Sequence, residues 1–390
     1  MSLFDNTEHA FSSKSDAELK KAHYLFQLIG SPSLTNLGTL FFKLPFAVNL
    51  PLVKPAIRET IYKQFVGGET AEQGVKVAKD LYKYGVSSIL DYSVEGQTEE
   101  SEFDHVKDVM LHLVALAKNN PEIPFVVFKP TAFGRIELFE KVGKKQDLTE
   151  DEQKRWQNVR SRFDVVCKAG FDADVNIMVD AEETWMQDAA DDLTDEMMVK
   201  YNVNRPVIWN TLQMYRHDRL AYLKQMFEKA DREGYYLGYK VVRGAYMEKE
   251  RERAQAEGYP SPIQPNKEAS DRDYNAALRF IVDNHTRFGL FAGSHNEYSC
   301  ELLIKLMNEK GISAKNPNFW FGQLFGMSDN ISFNIAHLGY NIAKYLPYGP
   351  IKEVMPYLIR RAQENTSVAG QTGRELGLIK KELERRKNSK

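Results

Sequence analysis

Between Ser87 and Tyr348, short β-rich runs alternate with longer amphipathic segments. The runs are SSILDY (87–92), PFVVFKP (124–130), DVNIMVD (174–180), PVIWNTLQ (206–213), YLGYKVVRGAY (236–246), FGLFAGSHN (288–296), FWFGQLFG (319–326) and NIAKYLPY (341–348). They are short, apolar and rich in β-branched and aromatic residues, which predicts strands. Each is followed by a segment of helical period, such as Glu182–Tyr201, Arg216–Arg232 or Glu297–Glu309. Strands alternating with helices imply a parallel sheet, and eight such units imply an α/β barrel of the (β/α)8 type. A doubly wound open sheet is the second reading. Against it, no strand is followed by GxGxxG, and polar residues recur at the strand C-terminal ends.

Upstream, residues 1–85 read as an N-terminal helical segment. Ser15, three residues before Glu18, forms a capping-box pattern for a helix that ends at Gly30. Further helical runs are Ile57–Phe65 and Ala71–Tyr84. Residues 86–370 make the barrel, and residues 371–390 make a basic helical tail. From Arg374 to Lys390 that tail carries seven basic and three acidic residues. It is read either as a solvated helix or as a membrane-surface anchor, since basic residues near an anionic leaflet attract it. The apolar stretch Leu37–Val53 is broken by Lys43, Pro45, Asn49 and Pro51. A spanning helix needs about 20 mostly apolar residues, so this stretch is not one.

The stretch NIAKYLPYGPIKEVMPYLIRRAQEN (341–365) carries the most distinctive chemistry. A strand meets a turn at Pro347, Gly349 and Pro350, and a helix follows with Pro350 in its first turn. Val354, Leu358 and Ile359 are placed to face a core. Arg360 and Arg361 then stand about 100° apart around the axis. Two adjacent guanidiniums repel unless an anion holds them, and the guanidinium is a planar carboxylate clamp. A bare pair of arginines is commonly two solvated side chains. Here Tyr345, Tyr348 and Tyr357 precede the pair and Glu364 follows it.

Barrel chemistry gathers at strand C-terminal ends. Those ends carry Asp91 and Glu95, Lys129, Asp180, Gln213, Arg243 with Tyr246, His295 with Asn296, Gln323 with Leu324, and Tyr345. Each has a bland reading too: Lys129 as a solvated rim residue, Asp180 as the N-cap of the next helix, His295 as a core histidine. A zinc barrel needs two or three histidines at strand ends, and of the eight histidines only His295 falls there, with no HxH or HExxH, so no metal is expected. A GxSxG nucleophile elbow is absent. From the residues alone, Lys129 as a Schiff-base lysine of a lyase or aldolase, or a non-catalytic anion-binding barrel, stays open.

Composition narrows the partners. A hydrophobic content of 43% and a charged content of 27% are those of a globular protein. A net charge of −2 gives no electrostatic reason to expect nucleic acid. Two distant cysteines, Cys167 and Cys300, argue against a disulfide framework.

Taken together, YLPYGPIKEVMPYLIRRAQEN, KVVRGAYMEKE, NIMVDAEET and GSHN resemble the proline dehydrogenase family over roughly residues 66 to 370. The RGAY form and the long helical N-terminal part resemble its monofunctional branch. The resemblance implies a distorted (β/α)8 barrel that binds FAD and oxidises L-proline to Δ1-pyrroline-5-carboxylate, with hydroxyproline dehydrogenase as the alternative. It implies that Arg360 and Arg361 bind the proline carboxylate, with Lys129 as a third cation. Tyr246, Tyr345 and Leu324 would pack on the ring, and Asp180 would orient Tyr345 or an arginine. Gln213, Arg243, Gly244, Ala245, His295, Gln323 and Glu364 would line the FAD, and Asp91 and Glu95 would form a lid. The family often has Lys at the place of Arg243 and Trp at that of Met247. Its hydroxyproline-preferring branch has a smaller residue at that of Tyr345. The resemblance also implies a membrane quinone as electron acceptor, peripheral membrane contact, and a pyrroline-5-carboxylate dehydrogenase on a separate chain. The acidic N-terminus, MSLFDNTEHAF, lacks the pattern of a signal or transit peptide. The expected location is therefore a bacterial cytoplasm, peripheral on the inner membrane, or the mitochondrial matrix in a eukaryote.

Overall fold

The structure is a computed structural model that describes residues 2–29, 53–92, 97–367 and 371–389, with all side chains except those of 29, 53, 56, 362–367, 371 and 372. Gly30, most of the stretch 37–53, Glu95 and the side chain of Glu364 therefore lie outside the described residues. Eight parallel strands close into a barrel in the order β1 to β8. They are β1 (Ser87–Tyr92), β2 (Phe125–Phe128), β3 (Asn176–Val179), β4 (Ile208–Gln213), β5 (Leu237–Val242), β6 (Phe288–Gly293), β7 (Phe319–Leu324) and β8 (Ile342–Tyr348). The closed sheet excludes the open doubly wound alternative. All eight expected strands are present, and most are trimmed at their ends. The largest change is at β5, where the expected run to Tyr246 stops at Val242 and RGAY forms a loop.

The chain divides into two compact units, Met1–Glu95 with Gln323–Lys390, and Gly96–Gly322. In the second unit the barrel interior is filled by aromatic rings. Phe125 meets Trp209, Phe291 and Trp320 edge-on at 5.2–5.5 Å. Glycines on the strands beside these rings make the room. A Cβ on Gly289 would stand 2.4 Å from the Trp209 ring, and one on Gly322 2.1 Å from Phe291. Aromatic pairs at this spacing add to the area they bury. Buried Asn202 closes the floor. Its amide donates to the carbonyls of Ile208 and Tyr236 and accepts from the N–H groups of Val207 and Ile208.

In the first unit the helix Asp16–Ile29 starts with the expected capping box. The Ser15 N–H donates to Glu18 (2.8 Å) and the Glu18 N–H to Ser15 Oγ (3.3 Å). Its Leu19 and Phe26 join a core with Phe65, Val354, Leu358, Leu378 and Ile379. The last two belong to the helix Gln371–Asn388, the expected basic tail. One face of that helix is buried and the other is exposed. Buried Glu382 holds both Arg385 and Arg386, and Arg386 donates to the carbonyls of Phe11 and Lys14. Arg374 pairs with Asp5.

A buried charge cluster ties four segments of this unit together. Lys344 on β8 donates to Asp329 (2.7 Å) and to the Met327 carbonyl (2.8 Å). Lys14 reaches the other oxygen of Asp329 (3.1 Å), and Glu375 accepts from the Ser328 N–H (3.2 Å). The two lysines hold Asp329 down at about 2 against the cost of its burial. Glu375 goes the other way: burial, with the Asp329 charge beside it, raises its carboxyl to about 7. A carboxyl raised on folding favours its neutral form in the fold, so its contribution is full below the unfolded value and is lost as pH rises toward 7. Glu375→Gln should therefore raise the melting temperature at pH 8 by several degrees and leave it nearly unchanged at pH 4.5. Equal shifts at both pH values in calorimetry would mean the gain is not electrostatic.

Candidate active site

In the first unit the Pro/Gly turn is held from below. The Tyr62 hydroxyl donates to the Gly349 carbonyl (2.8 Å), and the Gly67 N–H donates to the Pro347 carbonyl (2.8 Å). The following helix begins at Ile351, with Pro350 one position outside it. Its carbonyl accepts from the N–H groups of Glu353 and Val354. Val354 and Leu358 are buried and Ile359 packs on the same core. That rotation leaves Arg360 half-buried and Arg361 only 7% exposed. The Arg361 guanidinium lies 5.2 Å from the Tyr357 ring centre. The pair is not solvated surface charge. Tyr345 on β8 is buried, and its carbonyl accepts from the Phe325 N–H (2.8 Å), which fixes the chain just after Leu324. Gln323 is buried and accepts from the Ser332 hydroxyl (2.8 Å). Asp91 is half-buried at the end of β1.

In the second unit, Lys129 follows β2 and is half-buried. Asp180 follows β3 and pairs with Lys240 of β5. The N-cap reading of Asp180 is corrected here: the helix starts at Thr184, and Glu183 stands at its cap. Lys240 was missed by sequence reasoning. It is 6% exposed, and the signal was available as a lysine inside the apolar strand LGYKVV. Glu182 was missed as well. It is buried and accepts from both the N–H (2.9 Å) and the hydroxyl (2.7 Å) of Thr131.

Gln213 ends β4 and links two loops. Its amide donates to the Glu182 carbonyl (2.7 Å) and accepts from the Ala245 N–H (3.2 Å). Arg243 is braced on three sides, to Asp271 (2.5 Å), Ser294 (2.9 Å) and Ser299 (3.0 Å), and stacks on Tyr274 at 4.4 Å. Gly244 has φ +136°, and a Cβ there would come within 2.5 Å of the Tyr215 ring. Glycine thus lets the RGAY backbone lie against an aromatic face. Tyr246 is half-buried and caps the helix Met247–Glu257, whose first residue, Met247, is exposed. His295 is half-buried beside Ser294, whose N–H donates to the Gly322 carbonyl (3.0 Å). Cys300 lies buried near Ser294, and burial pushes its thiol up to about 12, so it does not act as a thiolate.

The ends of β4 and β5 thus carry Gln213 and Arg243. Amide and guanidinium N–H groups are the kind of donor that the carbonyl and imide edge or the diphosphate of a flavin nucleotide takes. No group of three or more His, Cys, Asp or Glu suited to a metal ion occurs among the described residues.

The proline dehydrogenase family model matches residues 74–374. The chain belongs to the proline dehydrogenase family. A carbapenem antibiotics biosynthesis protein of Pectobacterium carotovorum subsp. carotovorum is 35% identical, over 83% of this chain and 83% of its own length. A mitochondrial proline dehydrogenase 1 of Dictyostelium discoideum is 33% identical, over 98% of this chain and 74% of its own. The proline utilization A protein of Bdellovibrio bacteriovorus, solved after inactivation by N-propargylglycine, superposes with a TM-score of 0.74 at 21% identity. That match covers 93% of this chain and 38% of the solved chain, so this chain spans about two fifths of that protein's length. It establishes a shared fold.

Proposed function

We propose that this protein oxidises L-proline to Δ1-pyrroline-5-carboxylate with FAD as its cofactor and passes the electrons to a membrane quinone. The observation that carries this reading is the family match over residues 74–374, which spans every strand and both arginines. A bound flavin would supply the acceptor for the hydride lost from the carbon next to the proline nitrogen. The protein's part is placement. Arg360, Arg361 and Lys129 hold the carboxylate. Tyr345, Tyr246 and Leu324 wall the pyrrolidine ring. Asp180, paired with Lys240, orients Tyr345 or an arginine. Gln213, Arg243, Gly244, Ala245, His295, Gln323 and Glu364 line the cofactor, and Asp91 and Glu95 form the lid.

The substrate amine must be neutral before hydride loss, so turnover rises toward alkaline pH. A Schiff-base role for Lys129 would leave a borohydride-trapped adduct on that lysine with a carbonyl substrate, and no such adduct is expected. The product is consumed by a separate pyrroline-5-carboxylate dehydrogenase, and the enzyme works in a bacterial cytoplasm or mitochondrial matrix, in peripheral contact with the membrane that holds the quinone. No helix among the described residues is long and apolar enough to cross a membrane. The test is optical. Purified protein should be yellow, and anaerobic L-proline should bleach its absorbance near 450 nm, where oxidised flavins absorb. Colourless protein that also fails to bind added FAD would end this reading.

A further inference from the structure

We propose that Glu250 is a positioning residue for the cofactor: it clamps the start of the helix Met247–Glu257 to the start of the helix Thr184–Tyr201, and so sets the path of the RGAY backbone that lines the flavin nucleotide. This rests on the reading that Gly244 and Ala245 line the FAD.

The RGAY segment is a loop whose Gly244 and Ala245 are exposed. Contacts from the loop after β4 fix its first half. The Arg243 carbonyl accepts from the Tyr215 N–H (2.6 Å), Gly244 lies against the Tyr215 ring, and the Ala245 N–H donates to Gln213 (3.2 Å). Its second half is set by the helix that follows. The Tyr246 carbonyl accepts from the Glu250 N–H (2.9 Å), which closes the first helical turn. Where that turn sits, the exit of the loop must follow.

Successive residues fasten this turn to the segment after β3. Lys249 pairs with Glu183, Glu250 bonds to Thr184, and Arg253, one turn on, stacks on Trp185 at 4.2 Å. Lys249 is exposed, so water weakens its pull. Glu250 differs. It is 0% exposed, and its two oxygens accept separately from the Thr184 N–H (2.6 Å) and the Thr184 hydroxyl (2.6 Å). That N–H is the first of the helix Thr184–Tyr201, a donor that no intrahelical carbonyl takes. Such a helix end is commonly capped by the residue just before it, but Glu183 makes no side-chain cap bond. The partner comes instead from 66 positions away. Buried polar groups are costly to separate from their partners, so the two helix starts stay together. Gln213 joins the same two segments a second time, from the Ala245 N–H to the Glu182 carbonyl (2.7 Å). The cofactor loop is thus tied to residues 182 and 184 by two routes.

The experiment reads how long the holoenzyme keeps its FAD. After rapid dilution into flavin-free buffer, release is followed by the recovery of flavin fluorescence, and far-UV circular dichroism checks the fold. Glu250→Ala should release FAD at least about tenfold faster than the wild type, the scale of one hydrogen bond to a charged group. With excess FAD present, its visible circular dichroism should change as well, because that signal depends on the surroundings of the bound ring. Glu250→Gln keeps an acceptor for the Thr184 N–H and turns a donor to the hydroxyl, so it should release FAD at the wild-type rate. Thr184→Val removes one of the two bonds from the far side of the clamp and should speed release by a smaller factor; it carries the test if Glu250→Ala does not fold. A cap that served only its helix would lower the melting temperature of Glu250→Ala and Thr184→Val and leave FAD release and the visible signal at their wild-type values. That result overturns the proposal. Release from Glu250→Gln as fast as from Glu250→Ala overturns it too, since the bonds to Thr184 would then not be what Glu250 supplies. A wild-type protein that holds no FAD ends the cofactor reading and this proposal together, whereas a wild type that holds FAD, with variants that hold it equally, ends only this proposal.

Discussion

Replacing Arg360 or Arg361 with methionine is expected to raise the KM for L-proline at least about tenfold, with flavin content near normal. Methionine keeps much of the stem and removes the charge. A hydrogen bond to a charged group is worth roughly 1.5–3 kcal/mol net, and a factor of ten is about 1.4 kcal/mol. Arg361 is the more buried of the two and stands against Tyr357, so its loss also costs packing. The Arg361 variant should therefore show the larger rise in KM and a lower melting temperature, while the Arg360 variant changes KM alone. The helix rests on Val354 and Leu358, which both variants leave in place, so the fold should persist. Steady-state kinetics with flavin quantitation is the check. Both variants binding proline normally would mean that the carboxylate is held elsewhere.

The second large effect concerns substrate choice at Tyr345. trans-4-Hydroxy-L-proline carries a ring hydroxyl that an aromatic wall would cover. Burying a hydroxyl without a partner costs about 1–3 kcal/mol on mutational scales. The wild-type enzyme should accordingly prefer L-proline by roughly ten- to a hundredfold in kcat/KM. Tyr345 is buried on β8, and its backbone carries the Phe325 N–H beyond β7, so the wall has a rigid base. Tyr345→Ser opens the wall and should narrow the preference, mostly by weakening proline turnover. Kinetics of both enzymes on both substrates decides it. A wild-type preference for hydroxyproline, or a serine variant that keeps the original ratio, would show that Tyr345 does not set the choice.

These two expectations draw on different kinds of information. The Arg360–Arg361 pair was legible because it is local: adjacent cations after a Pro/Gly turn, on a helix whose apolar face follows from its period. Their burial was not legible. It depends on the core that Val354 and Leu358 share with Phe26 and Ile379, residues from opposite ends of the chain.

The amino-acid sequence by itself determined the eight strands, the order of strand and helix, and the polar residue at each strand end. Those features follow from periodicity and turn residues within a few positions. RGAY was drawn into β5 because its apolar run continues past Val242, whereas Gly244 at φ +136° against Tyr215 ends the strand. Only the tertiary structure decided which charges meet. Lys240 finds Asp180 across 60 positions, Glu182 finds Thr131 across 51, and Arg386 finds the Phe11 carbonyl across 375. The same step turned a basic tail into a packed helix, since Leu378 and Ile379 bury themselves against the N-terminal helices. Local propensity carries no record of such pairings. Burying a charge is costly unless a partner is present, so each of these groups settles where the closed fold supplies one.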